Sequence, residues 1–408
     1  MDAILNARVP LILRNRNVFL IWAGQALSQS GVRMYQIALA WWIVSTGGGG
    51  KEVGLFMVAG ALPSLLFVKV IGRVVDRSPS RRVLVACDLL AVLITALAAA
   101  AFGAGRLSFA GACGLGFLLA LAQAFFDPAL NKAVALAAPP EDLEAAVAFQ
   151  TSTQSLASFA GAMAGALLID RIGIFGVILI NSASYLVSAG ANALLRLPAP
   201  QAGPGPAEEG DFSVWDALEE TPWIKKVLLG FGCVNFFLTP ILVVLPLYVK
   251  LTLGGSASLL GSLEAAIWLG ILAGTFGSGR IPTGGTVRSV LSLGAACMLV
   301  LGVCLLLPGL IVHRGLFMAA LFGAGCALGV NNVKFVTLFQ EHVRAELKGR
   351  FFALMQALLS FTFPAAFFLF GLLAELMAPP QVCLIQALGV LALAAYFLYL
   401  SKSTEAAS

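Results

Sequence analysis

Apolar runs of roughly 20 residues recur along the whole chain, each long enough to cross a bilayer as an α-helix. They fall at about 18–45, 52–72, 83–103, 107–127, 147–169 and 172–195, then at 224–251, 258–279, 287–308, 314–335, 350–376 and 380–401. Membrane β-strands would show short alternating segments instead, and none occurs. The pattern predicts an all-α membrane protein with twelve transmembrane helices. Between the sixth and seventh runs lies Pro198-Ala199-Pro200-Gln201-Ala202-Gly203-Pro204-Gly205-Pro206, followed by Ala207-Glu208-Glu209-Gly210-Asp211. That density of proline, glycine and acid cannot bury a core and reads as a linker. Phe212 to Thr221, around Trp215, fits a short amphipathic surface helix. The expected organisation is a six-helix bundle over 1–197, a cytoplasmic linker over 198–222 and a second six-helix bundle over 223–408.

Composition agrees. Charged residues make up 11% of the chain and mean hydropathy is +0.95, whereas a soluble domain carries about 25% charged residues. The formal net charge of +5 is not a nucleic-acid signal, because the basic residues lie between apolar runs. Arg8, Arg14 and Arg16 precede the first run, which exceeds a signal-peptide core. Arg73, Arg77, Arg81, Arg82, Lys132, Arg196, Lys225, Lys226, Arg280, Arg288, Lys334, Arg344, Lys348, Arg350 and Lys402 fall on the same side as that N-terminus. Only Lys51, Arg106, Arg171, Lys250 and Arg314 fall on the other. Lysine and arginine are retained in the cytoplasm, so both termini are expected there, in a multi-pass protein of the cytoplasmic (inner) membrane.

Little points to chemistry. The seven cysteines lie in or near apolar runs without a Cys-x-x-Cys pair and read as small packing residues. His313 and His342 are placed on opposite sides of the membrane, which argues against a zinc site. No phosphate-cradling glycine loop ending in Lys-Ser or Lys-Thr occurs. No catalytic cluster, metal or cofactor is expected.

The stretch Gly72-Arg73-Val74-Val75-Asp76-Arg77-Ser78-Pro79-Ser80-Arg81-Arg82 reads as a short basic loop with one embedded carboxylate. Its G-x-x-x-D-R…R-R spacing resembles the loop between helices 2 and 3 of the major facilitator superfamily. A weak repeat fits the two-halves plan of that fold. Pro140-Glu141-Asp142-Leu143-Glu144-Ala145-Ala146 precedes the fifth run, and Arg344-Ala345-Glu346-Leu347-Lys348-Gly349-Arg350 precedes the eleventh. Tyr35-Gln36-Ile37-Ala38-Leu39-Ala40-Trp41-Trp42, Phe126-Asp127-Pro128-Ala129 and Glu346-Leu347-Lys348-Gly349-Arg350 resemble the macrolide-efflux and enterobactin-exporter branch. The resemblance implies a cytoplasmic gate in which Asp76 approaches the start of helix 11 near Arg350, supported by Gly72, Arg77 and Arg81. Asp88 is expected to pair with the basic loop, and Lys69 to snorkel toward it. Three departures stand out. Pro79 and Ser80 replace the usual Gly and Arg, Val32 stands where the branch carries an acid, and Ala162 replaces the Pro of a Gly-Pro pair.

The first run carries the clearest polar pattern. Gln25, Gln29, Arg33 and Gln36 recur at i, i+4, i+8 and i+11, which at roughly 100° per residue confines them to about an 80° arc. The resemblance implies that helix 1 lines a central cavity with helices 4, 7 and 10. Cavity candidates there are Gln123 and Phe126, then Asn235, Phe236 and Thr239, then Asn331 and Asn332. The alternative for all of them is interhelical hydrogen bonding within a bundle. Arg33 is the sharpest, since an arginine at mid-membrane is costly unless paired or hydrated. Glu264 reads as the only carboxylate well inside a run. It sits at a depth similar to that of Arg33, roughly 22–24 Å along its helix, and is either that arginine's partner or a proton carrier. Gly161-Ala162-Met163-Ala164-Gly165 and Gly270-Ile271-Leu272-Ala273-Gly274 allow close helix approach, which the resemblance assigns to helices 5 and 8 between the halves.

These features predict a secondary transporter, a monomer working by alternating access. Its expected partners are the lipid bilayer and an amphipathic small molecule, exported as a drug, macrolide or siderophore would be. Protons are the candidate driving ion. Uptake or lysophospholipid flipping on the same fold is the alternative, and a membrane sensor or enzyme is a more distant one.

Overall fold

A computed structural model describes residues 14–139, 142–198, 222–283, 286–344 and 347–403. The described residues form helices throughout, with no strand among them. Twelve spans follow one another. The first four are α1 (Arg16–Ser45), α2 (Gly50–Leu66, continuing as Val68–Arg77), α3 (Ser80–Gly103) and α4 (Phe109–Ala137). One helical run, Leu143–Ala193, is divided at Gly173 into α5 and α6. Then come α7 (Pro222–Leu238, Ile241–Leu247 and a π turn Tyr248–Thr252), α8 (Ala257–Gly277) and α9 (Val287–Leu310). The last three are α10 (Arg314–His342), α11 (Lys348–Leu376) and α12 (Pro379–Ser403). The expected linker lies outside the described residues except at its two ends.

The breaks have local causes. Gly173 has φ 69° and ψ 178°, a conformation open to glycine because it has no Cβ, so α5 turns into α6 through one residue. Pro240 interrupts α7 after Leu238. In α2, the two segments meet at a bend of 57°. Pro63, one turn earlier, has no N–H to donate and loosens the helix there.

Three helices outrun their apolar windows. α2 continues to Arg77, α4 to Ala137 and α10 to His342. A helix that leaves the hydrocarbon still satisfies its backbone most easily by continuing, and hydropathy does not register that polar extension. The basic stretch is therefore not a loop. Gly72 to Arg77 end α2, Ser80 to Arg82 begin α3, and only Ser78 and Pro79 lie between them.

The chain divides into two compact units, residues 1–42 with 59–205, and residues 43–58 with 206–408. The last turn of α1 and the start of α2 thus belong to the second unit. In the first unit, side chains at the start of α1 tie together the ends of other helices. Arg14 pairs with Asp142, Asn15 donates to the Ala137 carbonyl at 2.8 Å, and Asn17 exchanges hydrogen bonds with the backbone of Arg196 at 2.9 and 3.1 Å. An apolar cluster including Val18, Ile21, Leu84, Phe126, Leu130 and Val134 packs beneath them.

The small-residue patterns are used inside the units. Gly161 of α5 lies against the Ser30 backbone and the Arg33 Cβ of α1. Gly270 and Gly274 of α8 face Gly325, Cys326 and the Phe322 carbonyl of α10. Gly325 and Gly329 answer them from α10, lying against the carbonyls of Ile267 and Ile271. This second pattern lends α8 and α10 a backbone-to-backbone contact that no larger residue permits. Gly325→Val should therefore lower the thermal midpoint of the detergent-purified protein sharply, since overpacking costs of order 1–3 kcal/mol. Gly277→Ala, at a position with open space around it, should leave the midpoint unchanged.

Candidate functional site

The polar stripe of α1 divides in two. Gln25 is buried and borders a small space with Trp22, Gln150 and Thr153, inside the first unit. Gln29 is half-buried. One turn further, half-buried Arg33 donates from Nη1 to Gln36 Oε1 at 3.1 Å. The close approach of Gly161 holds the backbone of α1 at Arg33 against α5, so the guanidinium projects from a fixed point.

On α4, Gln123 is half-buried and donates from Nε2 to Asp127 Oδ1 at 2.6 Å. Phe126 is buried in the apolar cluster. Asp127 is exposed, although α4 runs ten residues beyond it, a distance of ~15 Å. Ionisable side chains at that depth face protein or water, not lipid. Glu264 is therefore not the only carboxylate well inside a span. The missed signal was the apolar series Phe126, Leu130, Ala133, Val134 and Ala137, whose helical spacing carries α4 past Asp127.

Asp88 corrects a second expectation. It is buried on α3, and Asn192 of α6 donates to its Oδ2 at 2.8 Å. Asn192 also reaches the Ser188 hydroxyl at 3.4 Å. A polar neighbour within the bundle thus satisfies this carboxylate, in place of the basic stretch. Asp88 borders a small internal space with Ser28, Gln123 and Tyr185, so Gln123 separates one exposed and one buried acid.

The gate candidates occupy helix ends. Asp76 and Arg77 are exposed on the last turn of α2, Arg81 is exposed on the first turn of α3, and Lys69 is exposed on α2. Gly72 has open space where a Cβ would lie. Arg350 is exposed in the first turn of α11, in the second unit. What holds the end of α2 is a residue that sequence assigned only to topology. Lys132 of α4 donates from Nζ to the carbonyls of Val75, Asp76 and Ser78 at 2.9, 3.0 and 3.3 Å. Lysine at a helix C-terminus meets both the unpaired carbonyls and the negative end of the dipole. Lys334 of α10 does the same for the turn after α8, donating to the Ile281 carbonyl at 2.9 Å. The two halves repeat this device.

In the second unit, Asn235 donates to the Phe231 carbonyl at 2.9 Å and accepts through its own carbonyl from the Thr239 amide at 3.0 Å. Both residues thus sit on the turn that precedes the α7 break. Phe236 stacks edge-on against Phe237 and Phe370, with ring centroids 5.4 and 5.8 Å away. Asn331 is buried, its Oδ1 without a hydrogen-bond partner, and Asn332 is half-buried beside it on α10. Glu264 is buried on α8. Arg33 and Glu264 belong to different units. No cluster of metal-ligating side chains is found among the described residues, and the seven cysteines are free.

Comparison with known proteins agrees with this architecture. The family model described as Major Facilitator Superfamily matches residues 21–367. Macrolide efflux protein A of Streptococcus pyogenes is 25% identical over 368 residues, covering 88% of this chain and 89% of that protein. Macrolide efflux protein A of Enterococcus faecalis is 25% identical over 324 residues, covering 78% of this chain and 99% of that protein. Among solved structures, a point mutant of the nucleoside transporter NupG aligns with a TM-score of 0.76 at 12% identity, over 94% of this chain and 99% of its own. A bacterial homologue of the human lysosomal transporter Spinster gives 0.76 at 13% identity, over 95% and 97%. These solved structures speak to the fold.

Proposed function

The chain belongs to the Major Facilitator Superfamily, and from that premise we propose that it exports an amphipathic small molecule of the macrolide type by alternating access. It is a multi-pass membrane transporter and not an enzyme. The observation that carries the finer reading is where polar groups are placed at mid-span. Arg33 with Gln36 on α1, and Gln123 with Asp127 on α4, form hydrogen-bonded pairs on incompletely buried surfaces. A polar pair of this kind is expensive in hydrocarbon and useful in a wet path that must hold an organic solute in place. The macrolide efflux relatives, similar over most of the chain, support outward direction. Asn235, Phe236, Thr239 and Asn332 are proposed as substrate-contacting residues of the second unit, and both termini are proposed to lie in the cytoplasm. Proton exchange is the proposed driving force, with Glu264 and Asp127 as its carriers.

Bacterial cells stripped of their own multidrug pumps should accumulate a radiolabelled macrolide several-fold less when they express this chain. Collapsing the proton gradient should abolish the difference. Equal accumulation with and without the protein, across macrolides of different ring size, would remove macrolides from the substrate class.

A further inference from the structure

We propose that the first unit carries a site for one anionic phospholipid, bound by its headgroup at the basic ends of α3, α4 and α6. A cleft of about 760 Å³ opens there, and no acidic side chain among the described residues lines it. Arg81, Arg82 and Arg196 line it, with Lys132, whose Nζ is held by the carbonyls at the end of α2. The three arginines are exposed, and no ion pair joins them to an acid among the described residues. Two further features favour an anion. Ser80 lines the cleft, is 3% exposed, and its Oγ has no hydrogen-bond partner. Pro79, the residue that caps α3, supplies no side-chain acceptor to the first-turn amides. A helix N-terminus left open in this way attracts negative charge.

The apolar part of the cleft decides which anion. Val85 and Leu89 lie one and two turns below Arg81 on α3, and Ala193 lines the cleft from the last turn of α6. Leu89 is 50% exposed. On α3 the lining thus changes from cationic to apolar along the direction in which the helix enters the membrane. Inorganic phosphate would use only the cationic part. A glycerophospholipid would place its phosphate among the arginines and its first acyl carbons on Val85 and Leu89, as basic pockets at the cytoplasmic membrane surface do. The charge favours phosphatidylglycerol or cardiolipin over a zwitterionic lipid.

Native mass spectrometry of the delipidated full chain in detergent tests this. Phosphatidylglycerol should be retained as one molecule per chain, and phosphatidylcholine of the same acyl composition at least about fivefold less, the contribution of a single surface cation. Arg81→Gln/Arg196→Gln should erase that preference. Ser80→Leu, which fills the cleft beside the arginines, should weaken retention while leaving the charge in place. Arg280→Gln/Lys402→Gln, which removes as much charge from the second unit, should change nothing. The thermal midpoint of each variant, measured without lipid, identifies any that fails to fold. Equal retention of both lipids by the unmodified protein would overturn the proposal. So would an unchanged preference in Arg81→Gln/Arg196→Gln, or full displacement of the lipid by millimolar inorganic phosphate. None of these outcomes depends on what the protein exports.

Discussion

Arg33→Gln is expected to leave the protein abundant and folded in the membrane while cutting substrate export by at least about tenfold, a loss of ~1.4 kcal/mol or more. Arg33 is half-buried and donates a hydrogen bond to Gln36 on its own helix, three residues away. Glutamine keeps the helix propensity and a hydrogen-bonding end group, so the helix should persist. What disappears is the cation, which in a membrane is retained only where it is solvated or works on a partner. The structure also separates this position from the anchoring role. The contact that fixes α1 against α5 runs through the Ser30 backbone and the Arg33 Cβ beneath Gly161, and both survive the substitution. Flux per molecule in proteoliposomes, normalised to protein recovered from the membrane, distinguishes the two roles. Normal flux from a scarce protein would make Arg33 a folding residue. Gly161→Leu supplies the contrast, because it breaks the helix contact and should lower abundance first.

The fold was legible because a bilayer makes hydropathy nearly sufficient. Twelve apolar runs became twelve spans, since lipid leaves the backbone few alternatives to the helix. The same logic misjudged where helices stop. Hydropathy ended the fourth run at Asp127, yet the helix continues to Ala137, because Asn131 and Lys132 interrupt an apolar face only on its polar side. That error hid the mid-span position of Asp127 and made Glu264 look singular. The site was less legible for a different reason. Sequence shows which residues are polar but not which neighbour satisfies them. Asp88 looked like a partner for the arginines just before it, and the partner is Asn192, 104 residues on. Lys132 and Lys334 looked like orientation signals, and each also holds the turn between the second and third helices of its half. The glycine pattern of α8 was visible, but its complement on α10, Gly325-x-x-x-Gly329, gained meaning only once the two helices were seen together.

Two carboxylates well inside spans make the coupling question sharper than one did. A proton carrier in alternating access must meet water in one state and lose it in another. Asp127 is exposed, hydrogen-bonded to the amide of Gln123 and free of any ion pair among the described residues. Glu264 is 6% exposed on α8, the arrangement expected of a carrier shielded from water. If both take part, Asp127→Asn and Glu264→Gln should each abolish acceleration of transport by an imposed pH gradient. Each should keep downhill exchange of substrate, because the amide mimics the protonated acid in size and hydrogen bonding. Asp88→Asn is the control, since its carboxylate is committed to Asn192 inside the bundle. It should lower stability without uncoupling. The measurement is accumulation in proteoliposomes under an acid-outside or acid-inside jump, beside counterflow at equal pH. Full gradient-driven accumulation by Asp127→Asn would leave Glu264 as the carrier, and the same result for Glu264→Gln would assign the proton to Asp127. Full accumulation by both would end the case for proton exchange through either residue, and would direct the search to another ion or to facilitated diffusion.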